Sequence, residues 1–158
     1  MGAMARTISL ITGVAPDEVT VDRDHRRATA AARPLPGTTI ATYRTLEARA
    51  AAETDGWDVA IVPPQATLPE IAFADDVDTL DPSARAAVLT SAWAAKRWNV
   101  RALAVPGLPS GDPPVRPNLT QRRALAVAAA LATQGVGVGA APARGGGQRF
   151  RLSIGDAR

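Results

Sequence analysis

The only histidine of the chain, His25, lies in a run of charged residues, Asp22-Arg-Asp-His-Arg-Arg27. An imidazole titrates near neutral pH, so His25 could act as a general acid or base, and Arg26 and Arg27 could hold an anionic substrate beside it. The opposing interpretation is a solvated charged turn, which a run of self-compensating charges favours. His25 is therefore the candidate catalytic residue, and Arg26 and Arg27 are candidate ligand-binding residues.

Carboxylates are concentrated between residues 70 and 81. Clustered carboxylate oxygens are what Mg²⁺ or Ca²⁺ requires, but the spacing lacks the glycine at the sixth position and the glutamate at the twelfth that an EF-hand needs. Asp81 precedes a proline and is better explained as the N-cap of a helix. We therefore predict no metal site, and we assign Asp75, Asp76 and Asp78 to a surface that binds a ligand or partner.

A serine and an aspartate lie in the proline-rich segment 106–114. A serine nucleophile needs a base and an orienting acid, and the Gly-x-Ser-x-Gly signature does not occur around Ser110. A stiff loop is the favoured interpretation, so Ser110 and Asp112 are predicted to contact a ligand or partner rather than to react. The glycines of segment 135–139 follow a helical pattern and enter a strand, which is the reverse of the order in a dinucleotide-binding fingerprint.

The C-terminal segment 144–151 is rich in arginine and glycine and is the best candidate for contact with nucleic acid or phosphate. Phe150 is its only aromatic residue, whereas stacking surfaces for bases normally use several rings. A hairpin with a solvated basic face is the alternative that the composition favours. Arg144 is assigned to the ligand- or partner-binding surface.

Composition narrows the function classes. The chain has no cysteine, which excludes disulfides, thiolate catalysis and iron–sulfur clusters. No apolar run approaches the roughly 20 residues of a membrane span, so we expect a cytoplasmic protein without membrane contact. The formal net charge is +3, but nine acidic residues and one arginine lie in residues 45–81, and seven arginines and one aspartate in residues 113–158. The charge is therefore expected to be polarised.

A helix-then-strand pattern occurs three times along the chain. Helices are predicted at about 38–55, 82–98 and 119–134, each followed by a strand, at 57–62, 100–105 and 136–140. Further strands are predicted at 6–12 and 150–154. We expect a three-layer α/β fold, with a mostly parallel sheet of four to five strands, about three covering helices and a C-terminal antiparallel hairpin. One domain is expected over residues 4–158, with residues 1–3 a remnant of an expression vector.

Ligands of open parallel sheets bind beyond the carboxyl ends of the strands, where the connecting loops converge. Our leading prediction is a non-catalytic binding or accessory module that presents these loops to a protein partner or a small anionic ligand, with self-association into a homo-oligomer a further expectation. No cofactor is predicted. The alternatives are a small enzyme that acts on an anionic metabolite through His25, and a nucleic-acid-binding protein that uses its C-terminal arginines.

Overall fold

The structure is a computed structural model that describes residues 3–12, 18–32, 38–112, 114–143 and 148–154. The chain divides into two compact units, Met1–Ala66 and Thr67–Arg158. The described residues form four helices and eight strands, and the strands are arranged in three small sheets of three, two and three strands.

The first unit consists of two helices and one three-stranded sheet. Its elements are α1 (Ala3–Thr12), β1 (Val19–Asp22), β2 (Arg27–Ala31), α2 (Ile40–Glu53) and β3 (Asp58–Val62). The strand order is β1-β2-β3, with β1 antiparallel and β3 parallel to β2. Helix α2 therefore connects two parallel neighbours, and it buries Ile40, Tyr43 and Ala50.

A side chain of α2 accepts a hydrogen bond from the backbone of β3 at the edge of the sheet. The backbone N–H of Ile61 donates to Glu47 Oε2 at 2.8 Å, so this strand group is satisfied without a further strand. Helix α2 begins at Thr39, whose hydroxyl accepts from the backbone N–H of Thr42, and Gly56 follows its end in a left-handed conformation.

The second unit contains two helices and two sheets. Its elements are β4 (Glu70–Ala72), α3 (Pro82–Arg97), β5 (Ala102–Pro106), α4 (Leu119–Thr133), β6 (Gly137–Ala141), β7 (Arg149–Arg151) and β8 (Ser153–Ile154). Strands β4 and β7 form an antiparallel pair. In the other sheet, of order β6-β5-β8, β6 is parallel and β8 antiparallel to β5.

Local signals fix the starts of the helices in the second unit. Asp81 caps α3 by accepting from the backbone N–H of Ala84 at 2.7 Å, and Pro82 occupies the first turn. Helix α4 begins with a reciprocal capping box between Asn118 and Gln121. Helix α3 buries mostly small residues, whereas the buried residues of α4 include Val127 and Leu131. Leu103 and Val105 of β5 are fully buried. The three predicted helix-then-strand units are confirmed as α2–β3, α3–β5 and α4–β6.

The predicted mostly parallel sheet of four to five strands is wrong. Residues 63–80, the connection between the predicted strand 57–62 and the predicted helix 82–98, contain β4, in which Ile71 is buried together with the flanking Leu68 and Phe73. Strand β4 pairs with β7, which divides the strands among three mixed sheets. The predicted C-terminal hairpin is also wrong, since β8 lies beside β5 and not beside β6.

The predicted strand at residues 6–12 is a helix, α1. Ala5 and Ile8 lie on one helical face and are almost fully buried, so a period of three residues determines the structure more strongly than the β-branched composition does. The single domain over residues 4–158 stays a prediction. Among the described residues, no helix is both long enough and apolar enough to cross a membrane.

Candidate functional site

The strongest candidate site is a groove in the second unit, which we call the strand-end groove. It has a volume of about 530 Å³, and it lies where β5 ends at Pro106 and β6 ends at Ala141. Its lining consists of Glu70, Pro106, Ala141, Pro142, Arg149, Phe150, Arg151 and Ser153. The groove therefore occupies the carboxyl ends of the parallel pair, where ligands of such sheets bind.

The charged wall of the groove comes from the pairing of β4 with β7. Arg149 and Arg151 are two residues apart on one strand, so both side chains leave the same face. Glu70 lies directly opposite Arg151, and Ala72 lies directly opposite Arg149. Side chains opposite each other in an antiparallel pair are about 5 Å apart at Cβ. Glu70 is thus placed to balance Arg151, whereas Arg149 faces a methyl group.

The two arginines differ in their contacts as well. Arg151 Nη1 donates a long hydrogen bond of 3.4 Å to the carbonyl of Leu68. None of the residues that the structure describes accepts a hydrogen bond from the Arg149 guanidinium. Both side chains are exposed. Because a guanidinium stays protonated and presents a planar fork of donors, Arg149 is available to an anion in the groove.

A second, apolar wall of the groove is held by a backbone hydrogen bond. It is formed by Pro106, Ala141 and Pro142, and the backbone N–H of Gly107 donates to the carbonyl of Ala141 at 2.9 Å. Gly107 has a φ of +84°, and a Cβ at this position would lie 2.9 Å from Thr120 Cγ2. Glycine is therefore required here by both conformation and space, and it fixes the two strand ends next to each other.

A buried arginine supports the charged wall from behind. Arg123 of α4 is only 3% exposed, and it donates to the carbonyls of Val77 and Ala74 at 2.8 and 2.9 Å. Its guanidinium lies 5.4 Å from the centre of the Phe73 ring, which stacks on Phe150 with ring centres 6.0 Å apart. This chain of contacts connects α4 to β7 and so positions the strand that bears Arg149.

The acidic residues predicted to bind a partner lie in a turn that the same contacts hold, residues 74–78. Asp75 Oδ1 accepts from Gln148 Nε2 at 2.7 Å, and Asp78 Oδ2 accepts from Arg122 Nε at 3.0 Å. Asp76 has a φ of +58° and is exposed. Two of the three predicted carboxylates thus bind other side chains of the second unit. Within the described residues, no group of three metal-ligating side chains is placed to hold an ion.

The structure places His25 in the turn between β1 and β2. His25 Nδ1 lies 2.8 Å from Asp22 Oδ2, and the His25 side chain is 73% exposed. Hydrogen bonds from the ring and from the backbone N–H of His25 hold the pKa of Asp22 below its ordinary value of 3.8. The carbonyl of Arg26 accepts from the backbone N–H of Asp58, and Arg27 Nε lies 3.5 Å from Asp58 Oδ2. These contacts are those of a solvated turn with local ion pairs.

The remaining predicted site residues do not join this turn. Ser110 lines a second, largely apolar cavity of about 540 Å³ beside Leu125 of α4 and Val138 of β6. Asp112 is exposed in the connection between β5 and α4, and Arg144 lies outside the described residues. His25 belongs to the first unit, whereas Ser110, Asp112 and the three aspartates belong to the second.

Glu70 belongs to the acidic segment 70–81, and Arg149 and Arg151 belong to the basic segment 144–151, but none of the three was predicted as a site residue. The signal that could have identified the arginines is the Arg-Phe-Arg alternation of β7, which places both cations on one face of a strand. No sequence signal places Pro106, Ala141 and Pro142 opposite them. Comparison of the chain with protein-family models, with curated proteins and with solved structures finds no match.

Proposed function

We propose that the protein is a non-catalytic binding module whose strand-end groove binds a small anionic ligand. The observation that carries this proposal is Arg149, which faces the methyl group of Ala72 across the strand pair. The volume of about 530 Å³ is in the range of sites for small molecules, roughly 300–1,000 Å³. A singly charged anion bound at Arg149 would bring the net charge of the groove lining and the ligand together close to zero.

The polar lining supports binding more than catalysis. Two of its charged groups are guanidiniums, which do not release protons at physiological pH and therefore bind charge rather than transfer protons. The turn that holds His25 and Asp22 is exposed, with the histidine 73% exposed, and none of the described contacts gives it a substrate-sized enclosure. The enzyme hypothesis that rests on His25 receives no specific support from this geometry.

Nucleic-acid binding through the C-terminal arginines is supported less well than binding of a small anion. Phe150, the one aromatic residue of the basic segment 144–151, is stacked on Phe73. Arg123 is buried, and Arg122 pairs with Asp78. Three of the groups that such an interface would use are thus engaged in the fold. We place the protein in the cytoplasm as part of the same proposal, on its cysteine-free composition.

The proposal is tested by calorimetric titration of the full chain with benzoate and with inorganic phosphate. Arg149→Gln should weaken the tighter of the two by about tenfold, since hydrogen bonds to charged groups contribute about 1.5–3 kcal/mol each. The matched control is Arg101→Gln, which removes the same charge from an exposed residue just before β5, at the other end of that strand. Equal affinities for the two variants, or no binding of either anion, would refute the proposal.

A further inference from the structure

The strand-end groove is lined by more positively charged side chains than negatively charged ones. Glu70 and Arg151 occupy directly opposite positions of the strand pair, and their charges cancel in the sum over the lining. Arg149 adds one positive charge, opposite Ala72. The groove therefore has a net charge of one positive unit, and a ligand with a single negative charge completes its balance.

A second negative charge on the ligand would be repelled by the carboxylate of Glu70. Glu70 is the diagonal neighbour of Arg149 on the same face of the strand pair, and such neighbours are about 7–8 Å apart, with a somewhat shorter distance between Cβ atoms. A dianion bound at Arg149 therefore experiences repulsion from this carboxylate at a distance comparable to the screening length of physiological salt. The guanidinium fork binds carboxylates and phosphates alike, so it is the Glu70 carboxylate that favours a singly charged carboxylate over a doubly charged phosphate monoester.

The wall formed by Pro106, Ala141 and Pro142 offers few hydrogen bonds. Pro106 and Pro142 have no backbone N–H, and the carbonyl of Ala141 already uses one of its two lone pairs for Gly107. A polar ligand body against this wall would exchange its hydrogen bonds with water for fewer bonds with the protein, and an apolar body would gain by leaving water. The two walls thus select for different parts of one molecule, a charged end and an apolar body.

Building on the proposed function, we infer that the ligand of the strand-end groove is a monocarboxylate with an apolar body. The carboxylate binds Arg149, the apolar body packs against Pro106, Ala141 and Pro142, and Glu70 discriminates against dianions. This chemistry is shared by free aliphatic or aromatic acids and by the C-terminus of a polypeptide that ends in an apolar residue.

The inference predicts a chain-length dependence. In calorimetric titrations at pH 7.5, affinity should rise from acetate through butyrate to hexanoate, by about fourfold for each methylene that the wall buries. Hexanamide, which has the same body without the charge, should bind at least tenfold more weakly than hexanoate, because it cannot form charge-assisted hydrogen bonds with Arg149. N-acetyl-leucyl-leucine that binds more tightly than hexanoate identifies a polypeptide C-terminus as the source, and the reverse order identifies a free acid.

The predicted role of Glu70 is tested by a change in selectivity. Wild-type protein should bind benzoate more tightly than phenyl phosphate, which is mostly a dianion at this pH. Glu70→Gln should improve the affinity for phenyl phosphate severalfold more than that for benzoate, since the repulsion that it removes is about twice as large for a ligand with two negative charges as for a ligand with one. Asp112→Asn, which removes an exposed carboxylate of the same unit outside the groove, should leave the ratio unchanged.

The outcomes separate this inference from the proposed function. If no anion binds in a manner that depends on Arg149, the proposed function fails. If Arg149-dependent binding occurs but acetate equals hexanoate, or phenyl phosphate exceeds benzoate, the groove binds anions and the inference about an apolar monocarboxylate is wrong. Glu70 and Arg149 are exposed, so both variants should fold, and their unfolding midpoints in urea verify this directly.

Discussion

Replacement of Arg123 by methionine tests the contacts that hold the charged wall. Methionine keeps most of the apolar stem of arginine and removes the guanidinium, which is buried against the turn at residues 74–78. The hydrogen bonds to the carbonyls of Val77 and Ala74 come from a charged donor, and each contributes about 1.5 kcal/mol at the lower end of its range. The contact with the Phe73 ring adds about 0.5–2 kcal/mol.

Two effects reduce this loss. Methionine avoids the cost of removing a guanidinium from water, which is several kcal/mol, and the carbonyls of Ala74 and Val77 belong to exposed residues and can bind water again. We therefore expect Arg123→Met to lower the free energy of unfolding by about 2 kcal/mol. Urea denaturation followed by circular dichroism measures this value.

The matched control is the neighbouring residue. Arg122 is exposed and pairs with Asp78 at 3.0 Å, and exposed ion pairs contribute roughly 0.2–1 kcal/mol. Arg122→Met should therefore have a clearly smaller effect than Arg123→Met. If the two variants lose the same stability to within about 0.5 kcal/mol, the buried guanidinium does not hold the turn, and the account of how β7 is positioned is wrong.

Two further predictions concern other parts of the fold. Gly107→Ala should lower the free energy of unfolding by about 2 kcal/mol more than Gly111→Ala, since both have positive φ but only the first places a Cβ against Thr120; urea midpoints that fall equally would contradict this. Because the folded-state pKa of Asp22 is lowered by His25, ionised Asp22 stabilises the fold above pH 3.8, and this contribution is lost as the pH falls through the lower folded value. The difference in unfolding midpoint between wild type and Asp22→Asn should therefore shrink from pH 6 towards pH 2, and a difference that stays constant would show that this pair has no linkage to folding.

The elements that the sequence predicts well are those with local signals. The Asp81-Pro82 start of α3 and the glycines that end α2 and α4, Gly56 and Gly135, act within a few residues of their own position. Their backbone conformations follow from capping and from positive φ, and neither depends on distant parts of the chain. The helix-then-strand units were predictable for this reason.

Strand pairing was not predictable, because it depends on residues far apart in the chain. Strand β4 is three residues long, too short for a strand period to stand out, and its partner β7 lies near the C-terminus. The short apolar segment of α1 was ambiguous in a different way, since β-branched residues and a helical burial period coexist in it. The choice between helix and strand becomes clear only in the folded protein, where Ala5 and Ile8 are buried on one helical face.

The candidate site, like the fold, could be predicted from the sequence only where it depends on neighbouring residues. The sequence shows that Arg149 and Arg151 alternate with Phe150, and from this alone both cations could be placed on one face. It does not show that Glu70 opposes Arg151 or that Pro106 and Pro142 form the facing wall, since these relations arise from the β4–β7 and β5–β6 pairings. The net charge of the groove, and the class of ligand inferred from it, could therefore be worked out only from the structure.

The location of the binding site is the central claim, and amide chemical shifts on titration with benzoate test it most directly. We predict saturable shifts that are largest at Ala141, Phe150, Arg151 and Ser153, around the strand-end groove, and that need about tenfold more benzoate to saturate in Arg149→Gln. Saturable shifts confined to the turn at residues 23–26, or groove shifts that saturate at the same benzoate concentration in Arg149→Gln, would contradict the account.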